Sequence, residues 1–543
     1  MRVAPLLTLL VAACGGGETA RFTDVTAGSG IDFTMTSGRT PSTQIVEVKG
    51  GGLALLDHDG DGDLDLFVPN GATMDAPAAG PGSRLYRNDG GMRFSDVTVE
   101  VGIDHRGWGM GVAVGDVDGN GRDDLFVSCF GRNALLCNEG GRFTDTTEAA
   151  GLAHGGWGTG CAFGDVDGDG DLDLYLVNYI DFDLAAPPPR TTMLGVEVFD
   201  GPSGLTAQAD VLYANDGAGT FRDVTQESGC GAVEPAYGLG AVILDFDDDG
   251  HQDVFVGNDS MRNFLFHNRG GGRFTEVGLR SGLASNGDGE SQATMGIAIA
   301  DVDGDGRADV FTTNFMSDTN TLHLNRGGLQ FADRTQIYGL AIVSRPFLGW
   351  ASMFYDFDHD GDEDLLLFNG HVYPDDVCAA LGTTRRQTPL LFEREGARFR
   401  RVEAKDEPWL ATGYCDRSAV FGDLDGDGDV DAAVGELNGP VRLLRNDGAA
   451  GAWLIVSLHD ARPGVGNRRG LGSKVVLRTT TTVRTRWIHG GGSFQSSCAQ
   501  EAHFGVPAGE EVVELEITWA DGFRQTVRGV ELGRRMTVEH GLE

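Results

Sequence analysis

One nine-residue acidic phrase constrains this chain more than any other feature. DHDGDGDLD at 57–65 returns as DVDGNGRDD (116–124), DVDGDGDLD (165–173), DFDDDGHQD (245–253), DVDGDGRAD (301–309), DFDHDGDED (356–364) and DLDGDGDVD (423–431). A chain that repeats one turn seven times is expected to build seven copies of one unit. Position 6 is always glycine, as required where the backbone turns sharply with φ > 0. Positions 1, 3, 5 and 9 carry side-chain oxygens: Asp57, Asp59, Asp61 and Asp65; Asp116, Asp118, Asn120 and Asp124; Asp165, Asp167, Asp169 and Asp173; Asp245, Asp247, Asp249 and Asp253; Asp301, Asp303, Asp305 and Asp309; Asp356, Asp358, Asp360 and Asp364; Asp423, Asp425, Asp427 and Asp431. Position 7 varies as Asp63, Arg122, Asp171, His251, Arg307, Asp362 and Asp429, a freedom expected if only its backbone carbonyl is used. A set of hard oxygens suits Ca²⁺, with 6–8 ligands, and lacks the His and Cys that zinc or copper would favour. The expectation is up to seven calcium ions, since crowded carboxylates repel one another without a cation.

The EF-hand loop starts the same way but needs a glutamate at position 12 and flanking helices. Position 12 here is Val68, Val127, Leu176, Val256, Thr312, Leu367 and Val434, within runs such as DLFVSC and DLYLVN. Apolar runs such as GWGMGVAVGD (107–116) precede the loops, so the acidic phrases read as tips of β-hairpins.

Charge excludes some partners. With 42 Lys+Arg against 81 Asp+Glu the formal net charge is -39, which disfavours nucleic acid and anionic membrane surfaces. Residues 452–543 depart from this, with eleven basic against ten acidic side chains.

Each acidic hairpin precedes a phrase such as LYRNDG (85–90), LLCNEG (135–140), LYANDG (212–217), LFHNRG (265–270) or LHLNRG (322–327), followed by a phenylalanine-containing strand. Strand, DxDGDGxxD loop, strand, LYxNDG and closing strand together resemble the FG-GAP/VCBS repeat of integrin α-chain propellers, over residues 21–449. The resemblance implies an all-β fold with a seven-bladed β-propeller. Six repeats end in a closing strand; the seventh runs from VRLLRND (441–447) into GAAGAW without one. The unattached RFTDVT at 21–26 is expected to supply it, closing the ring by joining its two ends.

Residues 452–543 read as a separate small C-terminal β-sandwich, from alternating runs WLIVSL, KVVLR, VVELEITW and MTVEH. With no acidic loops of its own, this domain is expected to melt independently of calcium. NRRGLGSKV (467–475), GGGSFQSSCAQEAHFGV (490–506) and ITWADGFRQTV (517–527) resemble the ASPIC/UnbV domain of the cartilage acidic protein family, which joins the same propeller to this terminal domain.

MRVAPLLTLLVAAC reads as a secretory signal, 1–13, ending in a bacterial lipobox. Cys14 is the expected lipidation site and 14–20 a short tether, placing the protein outside the cytoplasm with membrane contact only through the lipid. Of the seven other cysteines, Cys129 with Cys137 and Cys378 with Cys415 are the expected disulfides in an oxidising compartment.

No GxSxG, HExxH, CxxC or phosphate-loop motif stands in its proper context. Three long segments, 71–83, 179–208 and 370–388, join second and third strands and so share the rim opposite the acidic hairpins. Loops on a rigid scaffold carry binding function, so this face is expected to bind a protein or glycan. A polysaccharide lyase or hydrolase is the competing reading, using Asp181, Asp183 or Asp200 beside Arg190. A binding module should instead expose Tyr179, Phe182, Phe199 and Tyr373.

Overall fold

The structure, a computed structural model, describes residues 21–448 and 450–542. The signal segment, Cys14 and the tether lie outside the described residues. Seven antiparallel sheets follow the seven repeats, each of four blade strands, with Gly490–Gly491 adding a fifth to the fourth sheet. Blade 1 runs Ala54–Leu56, Asp65–Val68, Arg84–Asn88 and Phe94–Asp96 in spatial order, and blades 2 to 6 follow the same meander. Blade 7 places Asp416–Gly422, Asp431–Glu436 and Val441–Asn446 beside the N-terminal strand Phe22–Asp24, with Phe22 opposite Asn446 and Asp24 opposite Leu444. The RFTDVT phrase therefore closes the ring.

The first strands are the innermost. Ala54–Leu56, Trp108–Gly115, Gly158–Gly164, Gly238–Leu244, Ile297–Ala300, Gly349–Tyr355 and Asp416–Gly422 touch in cyclic order, the last returning to the first. They are almost wholly buried, which explains why they read as unbroken apolar and glycine runs rather than alternating ones.

The C-terminal region forms two packed sheets. One contains Ala452–His459 between Ala502–Val506 and the parallel strand Arg534–Glu539; the other orders Val483–Ile488, Ser473–Thr479, Val512–Thr518 and Arg524–Val527. Leu454, Val456, Phe504 and Val538 share one core with Val475, Leu477, Leu515 and Ile517, the alternating inward positions of a sandwich.

Its expected separateness is corrected by the structure. Between the strands ending at Ile488 and starting at Ala502, the chain enters the propeller channel and touches all seven inner strands. Gly490 and Gly491 pair with Ile243 and Val242 of blade 4. A Cβ on Gly490 would collide with the Phe163 carbonyl of blade 3, so the GGG stretch is what permits the approach. Ser493 O accepts from Ile297 N (2.8 Å) of blade 5, and Ser493 Oγ donates to Ala419 O (2.8 Å) of blade 7. Phe494 packs edge-on against Trp350 of blade 6 at 4.7 Å. Gln495 O accepts from Val112 N (3.1 Å) of blade 2, and Ser497 N donates to Leu53 O (2.9 Å) at blade 1.

The expected Cys129–Cys137 disulfide is also corrected. Leu125 faces Leu136 across their hairpin, so the two cysteines stand about five residues apart along it, roughly 16 Å, against the 5.5–6 Å Cα separation a disulfide needs. Cys129 Sγ instead lies 3.4 Å from His105 Nε2, and Cys137 Sγ 3.0 Å from Thr146 Oγ1. Cys378 and Cys415 are free thiols as well; they donate to the Tyr373 and His371 carbonyls at 3.1 and 3.4 Å.

Candidate functional site

Each acidic loop connects the first and second strands of its blade, so all seven lie at one end of the ring. Two acids organise every loop locally. The position-1 carboxylate accepts amide hydrogens of the loop itself, as Asp116 does from Gly121 N (2.7 Å) and Asp165 from Gly168 N (2.8 Å). Outside loop 6 the position-9 carboxylate accepts on one oxygen from the position-2 amide and on the other from the third strand: Asp65 takes His58 N (3.0 Å) and Asn88 N (2.8 Å), and Asp124 takes Val117 N (2.9 Å) and Asn138 N (2.7 Å); in loop 6 Asp364 takes Arg394 N (3.0 Å) and Arg21 Nη1 (3.3 Å).

These bonds draw acids together. Ligand atoms of Asp57, Asp59 and Asp61, of Asp116, Asp118 and Asp124, and of Asp165, Asp167 and Asp173 each lie within 4.8 Å of one another, a spacing that can hold a metal ion. Four buried oxygens in three loops, Asp247 Oδ1, Asp301 Oδ1, Asp303 Oδ1 and Asp362 Oδ1, have no hydrogen-bond partner, which is where a cation would supply one. Burial chiefly, with neighbouring carboxylates adding, lifts Asp116 and Asp245 to about 6, Asp165 to about 7, and Asp124, Asp309 and Asp356 to about 8. The three raised to about 8 hold their protons at neutral pH unless a cation replaces them. The donor set fits a hard divalent ion.

The seven loops are not equivalent. Histidines that the sequence reading passed over stand in two clusters: His58 with Asp59 and Asp65, and His267 with Asp247 and Asp253, His267 Nδ1 being 3.0 Å from Asp253 Oδ1. In loop 6 the guanidinium of Arg21, at the start of the closing strand, bonds Asp358 (3.1 Å), Asp364 (3.3 Å) and Glu393 (2.6 Å). Arg122, Arg307 and His251 at position 7 have no carboxylate to offer, consistent with a carbonyl role there.

A ring of asparagines, also missed, ties the loops together. In six blades the third strand ends on an asparagine whose Nδ2 donates to the position-2 carbonyl of the preceding blade's loop. Asn88 reaches Leu424 O (2.8 Å), Asn138 reaches His58 O (2.8 Å), and Asn215 reaches Val117 O (2.8 Å). Asn268 reaches Val166 O (2.7 Å), Asn325 reaches Phe246 O (2.8 Å), and Asn446 reaches Phe357 O (2.9 Å). Blade 6 has Arg394 instead, which donates to Val302 O. The recurrent N of LYxNDG was the available signal.

The terminal domain covers this acidic end. Arg468 pairs with Asp116 (3.2 Å), Arg469 with Asp123 (3.0 Å), Lys474 with Asp248 (2.9 Å), Arg486 with Glu363 (2.5 Å) and Arg535 with Asp423 (3.6 Å). The basic side chains concentrated in 452–543 thus face the acids concentrated upstream.

At the opposite end the three inserted segments share one apolar cluster, through Ala72, through Tyr179, Ile180, Phe182, Val198 and Phe199, and through Val372 and Tyr373. The four aromatics expected on the surface are buried, a correction with a packing cause: Phe199 stacks edge-on against Tyr373 (4.8 Å), while Tyr179 and Phe182 pack on Trp157 (5.0 and 5.7 Å). Beneath them Lys49, almost wholly buried, meets Asp259 Oδ2 (3.3 Å), which also accepts from Tyr179 OH (2.5 Å). Arg190 pairs with Glu197 (3.2 Å) rather than with Asp181, Asp183 or Asp200. The hairpin Thr191–Met193 with Val196–Val198 projects with Leu194 79% exposed at its tip.

The FG-GAP-like repeat model matches residues 57–127, 116–176, 245–312 and 301–367, and the ASPIC and UnbV model matches 464–543. The chain is 27% identical to cartilage acidic protein 1 of Mus musculus over 503 residues, 87% of this chain and 70% of that protein. It is 29% identical to the Homo sapiens protein of that name over 329 residues, 59% of this chain and 46% of that one. Among solved structures, an Agrocybe aegerita lectin recognising non-reducing terminal N-acetylglucosamine aligns at TM-score 0.37 and 16% identity, over 74% of this chain and 95% of that one. BBS1N in complex with ARL6DN aligns at 0.39 and 9%, over 79% and 99%.

Proposed function

For a chain that carries FG-GAP-like repeats and an ASPIC and UnbV segment and is homologous to cartilage acidic protein 1, we propose a calcium-stabilised interaction module acting outside the cytoplasm. It binds a protein or glycan on the face opposite the acidic loops. One observation carries this reading: the terminal domain covers the acidic face and fills the channel, whereas the other face carries three insertions packed into one platform. A rigid scaffold bearing elaborated loops is the usual architecture of a binding site.

Calcium supports the scaffold. The position-1, -3, -5 and -9 oxygens would hold each ion, the position-7 carbonyl completing its shell. The ion would supply charge neutralisation to carboxylates whose ionisation burial disfavours.

No described helix is long and apolar enough to cross a membrane, and the anchor we propose is lipid on Cys14. Cys14→Ser should move the protein from the membrane fraction to the soluble one; unchanged fractionation would remove the anchor from the proposal. The binding face is tested with the calcium-saturated mature chain on glycan arrays and against extracellular proteins, beside a variant whose 184–197 segment is replaced by a short Gly-Ser linker. Binding that the replacement abolishes supports the platform. A ligand held equally well by both proteins would move the site elsewhere.

A further inference from the structure

We propose that His359, His503 and Asp429 form a transition-metal site, of the kind Zn²⁺ takes, that clamps the terminal domain to blades 6 and 7. The three residues come from three elements: His359 from position 4 of loop 6, Asp429 from position 7 of loop 7, and His503 from the terminal-domain strand Ala502–Val506. The two imidazoles lie 5.2 Å apart between ring centres, and His359 Nε2 is 3.7 Å from Asp429 Oδ1. Metal–ligand bonds of about 2.0–2.2 Å in a tetrahedral shell put ligand atoms roughly 3.4 Å apart, close to the His359–Asp429 separation.

The unpaired atoms point to a ligand. His359 is 1% exposed and His503 3%, yet His359 Nδ1, His359 Nε2 and His503 Nδ1 make no hydrogen bond. Three orphaned nitrogens at one buried contact are costly and call for an ion or water. His503 Nε2 donates to the Gly428 carbonyl (2.9 Å), which leaves Nδ1 as the lone-pair nitrogen. A backbone carbonyl accepting from the far nitrogen is the usual support of a metal-bound histidine.

Backbone conformation gives a separate reason why a side chain stands at 359. Position 4 of the loops adopts positive φ in all seven, and five use glycine: Gly60, Gly119, Gly168, Gly304 and Gly426. Asp248 (φ 57°) and His359 (φ 58°) are the exceptions, and an L residue in that region is disfavoured. Asp248 pairs with Lys474 of the terminal domain; His359 meets His503. In both loops the strained residue is the one that reaches across to the terminal domain. Two imidazoles and one carboxylate select a borderline ion such as Zn²⁺ over Ca²⁺, and a water would fill the fourth position.

The test uses the mature chain saturated with Ca²⁺, so that the acidic loops are occupied, titrated with Zn²⁺ by calorimetry and with Co²⁺ by visible absorption. One equivalent of Zn²⁺ should bind, Co²⁺ should give the d–d bands of a nitrogen-ligated site, and Zn²⁺ should raise the melting temperature. His359→Gln and His503→Gln should each reduce Zn²⁺ affinity at least tenfold while calcium still stabilises the protein. No uptake by the calcium-saturated protein overturns the site, as does Zn²⁺ that calcium displaces stoichiometrically, or a folded glutamine variant that binds like the parent. If neither variant folds, the Co²⁺ spectrum of the parent decides alone: bands of an all-oxygen shell would refute imidazole ligation.

Discussion

Asn138 Nδ2 lies 2.8 Å from the carbonyl oxygen of His58, fastening the third strand of blade 2 to the acidic loop of blade 1. Repeated around the ring, this bond makes each loop's shape depend on the next blade. Asn268 is the clearest case, since its Nδ2 serves both Val166 O (2.7 Å) and Gln252 O (2.9 Å) and its Oδ1 accepts from Gly270 N (3.0 Å). Asn268→Ala should destabilise the protein by about 1–3 kcal/mol, because buried carbonyls lose their donor. It should also weaken calcium binding at loop 3, on the neighbouring blade. Thermal melts and calorimetric titration check both; a variant that loses stability but keeps every calcium affinity would show the ring to be scaffolding alone.

Calcium removal should lower the stability of the propeller and the terminal domain together. Mass action stabilises the native state by about 2.7 kcal/mol per site when the ion stands at one hundred times its dissociation constant. Magnesium should restore little, because it prefers a smaller octahedral shell. Because residues 490–497 lie in the channel and five ion pairs bind the domain to the ring, calorimetry should show one calcium-dependent transition. Two transitions, the smaller indifferent to chelator, would restore the independence the sequence suggested.

Phe494 tests the channel segment by itself. It is fully buried and packs on Trp350, so Phe494→Ala should cost about 3–5 kcal/mol. The loss should appear as earlier melting of the whole molecule, read by tryptophan fluorescence, even though the residue belongs to the terminal region.

The acidity of the loops sets the direction of a pH effect. Asp165 titrates at about 7 and Asp124, Asp309 and Asp356 at about 8 in the folded chain, all above the ordinary aspartate value near 3.9. Between these values the native state holds more protons than the unfolded one, so stability of the calcium-free protein falls as pH rises from about 4 to 8. Calcium needs the ionised acids and should reverse the trend. Chelated protein should therefore melt higher at pH 5.5 than at pH 8, and calcium-loaded protein lower; the same order in both would contradict the role given to these carboxylates.

Loop 3 should report a single site most cleanly. Asp167→Ala removes its position-3 carboxylate, and calcium stoichiometry should fall by one with the others retained at first. Loop 6, where Arg21 already bonds Asp358 and Asp364, should be the weakest site and should tighten in Arg21→Ala if that variant folds.

The sequence alone determined the parts of this protein that local pattern encodes. The spacing of the acidic phrases, the alternation around them and the unattached RFTDVT fixed the repeat, the seven blades and the closing strand, because each element is specified by residues close together in the chain. The acids of every loop were legible for the same reason. Tertiary structure decided the rest. That Gln495 meets Val112, that Arg468 meets Asp116, and that His503 meets His359 follows from contacts over more than a hundred residues of chain, for which no periodicity exists. The four aromatics judged exposed were buried by one another once the insertions met, and two cysteines eight residues apart were separated by the register of their hairpin. Local rules set each blade's path; the shared interior of a closed ring, with one channel to fill and one acidic face to neutralise, set what the terminal region became.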